Sequence, residues 1–265
     1  MGLTLQSFSS VAEAGAALAS AEARYLGGGT LAVRAANEGD VSFSKLVRVT
    51  DPALGKITVD GRQAHLGASV TMAAVARHPG LATIAAAARA VGGPAVRNMA
   101  TVGGNLFAPA PYGDFAVALL ALDATVHFAD GTQPIESFLS MRETLSRMQI
   151  VTAVSFTLPA PGTFRFRKVS RVKPKGVSVL TIAAVIGQED GAISSARIAL
   201  GCLSDRPIRA KAAERALAGR PRTAEGITDA LAAAGDGTAP ITDAIASGWY
   251  RVEVLPVHLR RLLLE

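Results

Sequence analysis

The sequence contains few of the residues on which several protein classes depend. Cys202 is its only cysteine, so the chain can form no internal disulfide, and by itself it can hold neither an iron–sulfur cluster nor a cysteine-type zinc site. Aromatic residues make up 5% of the chain, which leaves few platforms for stacking nucleic-acid bases. Its basic residues are scattered apart from a cluster at 165–175, so we expect no nucleic-acid partner despite a net charge of +6.

Long apolar runs are also missing, although hydrophobic residues account for 49% of the 265 residues. The most apolar segments are interrupted by Arg89, Asp123 or Gly187 well before the ~20 residues that a membrane-spanning helix needs. The N-terminal segment lacks the basic start and apolar centre of a signal peptide. We therefore expect a cytoplasmic protein without a membrane span.

Glycine, in contrast, is concentrated in two clusters beside threonines. ARYLGGGTLAV at 23–33 leads a short apolar run into three consecutive glycines, and RNMATVGGNL at 97–106 places a glycine pair after a threonine. Glycine has no Cβ and accepts positive φ, so consecutive backbone N–H groups can approach a phosphate oxygen closely. The two clusters together predict a pyrophosphate site.

The chain around the first cluster predicts a small parallel unit. Ser10 and Glu13 form a capping box that opens a helix to about Ala23, and apolar strands are expected at ARYL and at KLVRVTD, residues 45–51. The order strand, helix, strand, glycine loop is typical of parallel pairing.

An antiparallel pattern follows. Asp60–Gly61 and Asp130–Gly131 predict the turns of two hairpins, and QIVTAVSFTLP at 149–159 predicts a further strand. Alanine-rich helices are expected near 71–77 and 81–91, and Asp114 is expected to cap a helix that begins just after it.

The proline-rich stretch LPAPGT at 158–163 predicts a domain boundary. We expect a first domain over 1–160, with subdomains of about 1–56 and 57–160, and a second α+β domain over 163–265. Three strands are predicted in the second domain, at FRFRKVSRV, KGVSVLTIAAVIG and SSARIALGCL, with helices after Pro207.

Two other interpretations of the glycines remain. GGGTLA fits the G-x-G-x-x-A pattern of a Rossmann dinucleotide site, with Asp51 about twenty residues further on. That motif should open a long helix, whereas Gly39 follows within three turns, and the second cluster stays unexplained. The glycines could also simply turn the chain.

The ordered motifs resemble one family over nearly the whole chain. These motifs are GGGTLA at 27–32, GASVTMAAVA at 67–76, RNMATVGGNL at 97–106, PAPYGDFAVALLALDA at 109–124, FRKVSRV at 166–172 and SGWYRVEVLPVHLRRLL at 247–263. They resemble the FAD-binding medium subunit of molybdenum hydroxylases, which include the CO dehydrogenase and bacterial xanthine dehydrogenase types. The resemblance implies an α+β, two-subdomain FAD-binding fold of the vanillyl-alcohol oxidase (PCMH) type. A CO dehydrogenase flavoprotein-like domain with a three-stranded antiparallel sheet and helices would follow.

The resemblance also implies a cofactor site. The FAD-binding residues would be Tyr25, Leu26, Gly27, Gly28, Gly29, Thr30, Leu31, Ala32, Thr101, Val102, Gly103, Gly104, Asn105, Asp114 and Lys168, with Arg167 an equal contender for the last position. Family members often carry Asp or Ser where this chain has Leu31, so one side-chain hydrogen bond to the cofactor is expected to be absent. Neither glycine loop contains His or Cys, and we therefore expect FAD to be bound non-covalently.

The implied function is electron transfer between subunits. The molybdenum cofactor and two-iron two-sulfur clusters would lie on partners only, a large and a small subunit, in a heterotrimer or its dimer. No catalytic side chain and no metal ligand is assigned to this chain. The alternatives are a nicotinamide-dependent dehydrogenase and a flavin-free assembly subunit.

Overall fold

The computed structural model describes residues 2–145, 149–172 and 176–265. The basic cluster expected at 165–175 is therefore described only to residue 172. None of the helices in these ranges has both the length and the hydropathy that crossing a membrane requires.

The chain begins with a small parallel sheet. Its elements are β1 (Thr4–Phe8), α1 (Val11–Leu18), β2 (Ala23–Tyr25), α2 (Ala32–Asn37) and β3 (Lys45–Val49). The strand order is β1-β3-β2 with both pairs parallel, as predicted. The Ser10 side chain caps α1 by accepting from the Glu13 N–H. The helix ends at Leu18 rather than near Ala23, because Ala23 already pairs with Lys45 in the sheet.

The next sheet is antiparallel and has five strands in the order β4-β5-β8-β6-β7. Its strands are β4 (Ile57–Asp60), β5 (Gln63–Gly67), β6 (Thr125–His127), β7 (Thr132–Pro134) and β8 (Ala153–Thr157). Both predicted hairpins are confirmed. Strands β4 and β5 are joined by Gly61–Arg62, one residue later than predicted because Asp60 still pairs with Gln63, and β6 and β7 pair around Asp130–Gly131.

In the described part of the chain, the α-helices between or beside these strands are α3 (Met72–Arg77), α4 (Ala85–Arg89), α5 (Pro94–Met99), α6 (Val102–Leu106), α7 (Asp114–Ala121) and α8 (Ile135–Leu145). The prediction of a single helix over 81–91 is wrong for the first residues of that range. A 3-10 helix runs from Pro79 to Ile84 before α4 begins, and Leu81 within it leaves helical geometry. Every residue of α7 is buried, which makes it the central helix of the molecule.

A second antiparallel sheet contains β9 (Phe164–Ser170), β10 (Ser178–Glu189), β11 (Ala192–Gly201) and β12 (Ile208–Arg209), in the order β12-β11-β10-β9. The predicted three-stranded sheet is therefore wrong by one strand. The two residues of β12 pair with Ala199 and Leu200, and a strand this short carries no periodicity of its own.

Helices α9 (Lys211–Leu217), α10 (Thr228–Ala232) and α11 (Gly248–Leu264) cover one face of this sheet. Leu180 and Ile182 of β10 pack with Leu255 of α11 on that side. Ala183 and Ala199, on the other side, belong to the same apolar cluster as α7. The second antiparallel sheet is thus buried on both faces, and one of these faces packs against α7 of the preceding part of the chain.

Candidate functional site

The first glycine loop continues directly from β2, where the Leu26 N–H donates to the Val47 carbonyl over 2.7 Å. A Cβ placed on Gly28 would lie 1.7 Å from the carbonyl oxygen of Met99, so only glycine allows this approach of the two backbones. Gly29 has a φ of +74°, a left-handed conformation that also favours glycine. The first loop is thereby pressed against the end of α5.

The second glycine loop is the short helix α6, whose N-cap is Thr101. The Thr101 Oγ1 accepts from the Gly104 N–H over 3.1 Å. Two more N–H groups, of Val102 and Gly103, donate to the Val70 and Ala68 carbonyls at 2.8 Å. Backbone bonds to the segment that follows β5 therefore hold this loop in place.

The loops meet, and together they line one cleft with a volume of about 890 Å³. A Cβ on Gly27 would lie 2.9 Å from Thr101 Oγ1, which shows how closely they approach. Most of the predicted site residues line this cleft: Tyr25, Gly27, Gly28, Gly29, Thr30, Leu31, Ala32, Thr101, Gly103, Gly104, Asn105, Asp114 and Lys168.

Two predicted residues, Leu26 and Val102, are absent from the cleft lining. Val102 is fully buried in the main apolar cluster. Leu26 lines a smaller pocket of about 350 Å³ that also touches Gly27 and Gly28. The roles predicted for these two residues at the cofactor therefore stay predictions.

Asp114 is the first residue of α7 rather than its cap. Gly113, with a φ of +89°, occupies the N-cap position, so the prediction of Asp114 as N-cap is wrong. The carboxylate instead turns toward the second antiparallel sheet, where its Oδ2 accepts from Lys168 Nζ over 2.8 Å. Its Oδ1 accepts from Ser178 Oγ and Thr181 Oγ1, each over 2.6 Å.

Lys168 and Arg167 are neighbours on β9 and project to opposite faces, as successive strand residues do. The Lys168 ammonium lies at the cleft, where it also donates to the Ala90 carbonyl over 2.9 Å. Arg167 forms an ion pair with Glu265 away from the cleft lining. Of the two contenders, Lys168 is the one at the candidate site.

Cys202 lies in the same buried region and is only 6% exposed. Burial, together with the negative charge of Asp114, raises the pKa of its thiol to about 12. The thiol is therefore a packed, protonated side chain.

Comparison with known protein families decides the family. The model for the FAD binding domain in molybdopterin dehydrogenase matches residues 3–161, and the CO dehydrogenase flavoprotein C-terminal domain matches residues 165–265. This chain belongs to the molybdopterin dehydrogenase FAD-binding family. The resemblance inferred from the ordered motifs is thus confirmed, as are FAD as the cofactor and the α+β class of the fold.

Two curated relatives of this FAD-binding chain are similar over part of their length. One is the nicotinate dehydrogenase FAD-subunit of Eubacterium barkeri, 30% identical over 177 residues, which are 61% of this chain. The other is a putative xanthine dehydrogenase FAD-binding subunit of Escherichia coli (strain K12), 32% identical over 145 residues, or 51% of this chain. The chain spans 60% and 49% of the lengths of these two relatives.

Two solved structures share the fold of this FAD-binding chain over almost its whole length. A chain of carbon monoxide dehydrogenase from Hydrogenophaga pseudoflava has a TM-score of 0.91 at 24% identity, with 99% of this chain and 96% of that one covered. A chain of quinoline 2-oxidoreductase from Pseudomonas putida 86 has a TM-score of 0.87 at 25% identity, with 100% and 96% covered.

The cleft fits the FAD that the family name implies. Its volume of about 890 Å³ lies within the ~300–1,000 Å³ typical of cofactor sites. Within the described parts of the chain, the N–H groups of Gly27 to Leu31 donate to no protein acceptor, so five consecutive donors remain for a ligand. The buried Oε1 of Gln149, another cleft residue, has no hydrogen-bond partner there either and can accept from one.

The cleft also contains cationic residues that the sequence motifs did not predict. The Arg24 guanidinium lies 4.1 Å from the centre of the Phe43 ring, and Arg34 donates to Tyr112 Oη over 2.9 Å. Arg142 is buried and donates to the carbonyls of Ala108 and Asp205, and its burial lowers the pKa of its guanidinium. No local pattern marks these residues, because each meets its cleft neighbours through the tertiary fold.

The Rossmann alternative is not supported for this FAD-binding chain. The helix that follows GGGTLA is α2, which has six residues, none of them buried, and no side-chain cap. A helix packed along the sheet, which the Rossmann motif requires, is therefore missing at this position.

Proposed function

We propose that this chain holds FAD non-covalently in the cleft and serves as the electron-transfer subunit of a multi-subunit molybdenum hydroxylase. The chain would carry electrons from two-iron two-sulfur clusters on a small partner subunit to an external acceptor, with the molybdenum cofactor on a large partner subunit. FAD, when bound, supplies the redox chemistry that links one-electron and two-electron carriers. The proposed location of this complex is the cytoplasm.

The observation that carries this proposal is the meeting of both glycine loops at one cleft in a chain of this family. Five N–H groups of the first loop have no acceptor among the described residues, and they suit the two charged phosphates of FAD. The Lys168 ammonium adds a positive charge at the same cleft. No proton transfer by a side chain is needed for this role, so the chain's own contribution is to bind, orient and electrostatically tune the cofactor.

The names of the relatives support a role inside a complex. The Eubacterium barkeri and Escherichia coli proteins are each named as a subunit. This chain has one cysteine, which cannot provide the thiolates of an iron–sulfur cluster. We therefore place the clusters on a partner.

The cofactor is tested by the visible absorption spectrum of the purified chain, followed by acid precipitation. We expect flavin bands at roughly 370 and 450 nm, as for oxidised flavins in general, and release of FAD into the supernatant. A colourless protein would favour the flavin-free assembly subunit. Colour that stays in the pellet, or a released cofactor that migrates as FMN, would contradict non-covalent FAD binding.

The partners are tested by co-expression with the proteins encoded beside this chain, followed by size exclusion and metal analysis. We expect a complex that contains flavin, iron and molybdenum, and no substrate hydroxylation by the isolated chain. If the isolated chain purified as an active dehydrogenase without iron or molybdenum, the electron-transfer assignment would be wrong.

A further inference from the structure

The Asp114 carboxylate is bound by the second antiparallel sheet. Among the residues that the structure describes, its donors are Lys168 of β9 and Ser178 and Thr181 of β10, at 2.8, 2.6 and 2.6 Å. Ser178 is 0% exposed, Thr181 1% and Asp114 6%. Because buried polar groups are costly without partners, these contacts form one mutually dependent cluster.

The Thr181 hydroxyl has two acceptors within reach. Thr181 Oγ1 lies 2.6 Å from the Asp114 carboxylate and 3.2 Å from Ser178 Oγ. A hydroxyl has one proton to donate, and the hydrogen bond to the charged carboxylate is the stronger of the two. Each hydroxyl therefore donates to Asp114 Oδ1. The carboxylate is left with two neutral donors on one oxygen and a cation on the other.

The Lys168 ammonium has three N–H groups, of which two are used. They donate to Asp114 Oδ2 and to the Ala90 carbonyl, at 2.8 and 2.9 Å. No third acceptor contacts this ammonium within the ranges that the structure describes. Since Lys168 lines the cleft, one N–H remains for a ligand there.

The start of β10 is anchored from its other side. Arg251 of α11 is 1% exposed, and its Nη2 donates to both carboxylate oxygens of Asp243, each over 2.7 Å. The same guanidinium donates to the backbone carbonyls of Ser178 and Val179. Buried polar contacts thus run from α11 through Ser178 to Asp114, and from there to the cleft.

We propose that Ser178 and Thr181 are positioning residues for the cofactor. By donating to Asp114 they offset its negative charge and leave the Lys168 ammonium directed at the FAD. Without these hydroxyls the carboxylate would present more negative charge to the cleft and draw Lys168 more closely to itself. Both changes weaken the binding of an anionic cofactor and disfavour the addition of electrons to it. This inference rests on the proposed FAD binding.

The test uses the full chain with Thr181→Val, which keeps the side-chain shape but removes the donor, and Ser178→Ala as a second variant. Loss of one charge-assisted hydrogen bond should weaken FAD binding about tenfold. It should also lower the reduction potential of the bound flavin, measured by equilibrium titration against a redox dye. Thr181→Ser keeps the hydroxyl and should retain the wild-type affinity and reduction potential. Ser195→Ala, at an exposed residue of β11, serves as the matched control and should change neither property.

Thermal unfolding of each variant separates misfolding from a local effect. Wild-type affinity and potential in both Thr181→Val and Ser178→Ala would overturn the inference while the proposed function stands. Failure of Thr181→Ser to restore the potential would also overturn it, because the methyl group and not the donor would then matter. A wild-type chain that binds no FAD would overturn the inference and the proposed function together.

Discussion

The two glycine loops look alike in the sequence but differ in their hydrogen bonding. In the first loop, the N–H groups of Gly27 to Leu31 have no protein acceptor within the described residues. In the second loop, the N–H groups of Val102 to Asn105 donate to Val70, to Ala68 and, for the last two, to Thr101. The first loop has donors to offer to a ligand, whereas the second is already satisfied.

The glycines consequently have different tasks. Gly28 is required because the Met99 carbonyl occupies the space of a side chain. A Cβ on Gly104 would lie 3.0 Å from the Thr101 hydroxyl and not against a backbone of another described segment, so at that position the absence of a side chain leaves the cleft wall open. Glycine clusters of the same composition can therefore provide either close contact between two backbones or room for a ligand.

The largest effect is expected for Gly28→Ala. The added methyl group would overlap the Met99 carbonyl, so the loops would have to separate, at a cost of about 3 kcal/mol in the free energy of unfolding. Urea unfolding measures this loss, and FAD binding should disappear with it. Gly15→Ala in α1, where a Cβ meets nothing within 4 Å, is the control and should not destabilise the chain. Equal stability of the two variants would refute the loop contact.

Gly104→Asp should abolish FAD retention while it leaves the fold largely intact. The substitution would add a negative charge at the cleft wall, where we expect the phosphates, and the added Cβ would lie near the flexible Thr101 hydroxyl, at 3.0 Å. The flavin-to-protein ratio and the circular dichroism spectrum give the two readouts, with Gly104→Ala as the uncharged control. Full flavin occupancy in Gly104→Asp would remove the second loop from the site.

Thr101→Ala should cost about 1 kcal/mol of stability, because the N-cap of α6 is lost and the Gly104 N–H is left without its acceptor. FAD binding should weaken by no more than this loss of loop stability. The midpoint of urea unfolding measures the change, and Thr101→Ser should retain the cap. A loss of FAD without a loss of stability would instead indicate direct contact with the cofactor.

The smallest effect is expected for Leu31→Ser in the first loop. Leu31 lines the cleft, and a hydroxyl there adds one neutral hydrogen bond to the bound cofactor, which should tighten FAD binding by about 0.5–1 kcal/mol. Flavin fluorescence during titration measures this affinity. Leu31→Ala controls for the loss of the large side chain. If serine and alanine gave the same affinity, the hydroxyl would have no partner on the cofactor.

Much of the fold could be predicted from local patterns. Asp60–Gly61 marks a hairpin because its turn needs a positive φ, and the Gly61 φ is +55°. The β12 strand could not be predicted, because its two residues become a strand only by pairing with Ala199 and Leu200. The cap of α7 was assigned to Asp114 on residue preference alone, whereas Gly113 takes that position and frees the carboxylate for its buried donors.

The candidate site was predictable as a set of motifs but not as a set of contacts. Strand alternation implies that only one of Arg167 and Lys168 faces the cleft, yet the sequence does not say which one. The N–H groups of Val102 and Gly103 donate to the carbonyls of Val70 and Ala68, which lie some thirty residues earlier in the sequence. Ser178 and Thr181 lie in an apolar strand, where nothing local distinguishes a buried donor from a packing residue.

The buried thiol of Cys202 makes the chain convenient for site-specific labelling. Burial raises the pKa of this thiol to about 12, so it stays protonated at pH 8, whereas the thiolate is the reactive form. A maleimide dye would therefore leave the native protein almost unlabelled. Any cysteine introduced on the surface or at the cleft would then be the preferred attachment point, without prior removal of the natural one.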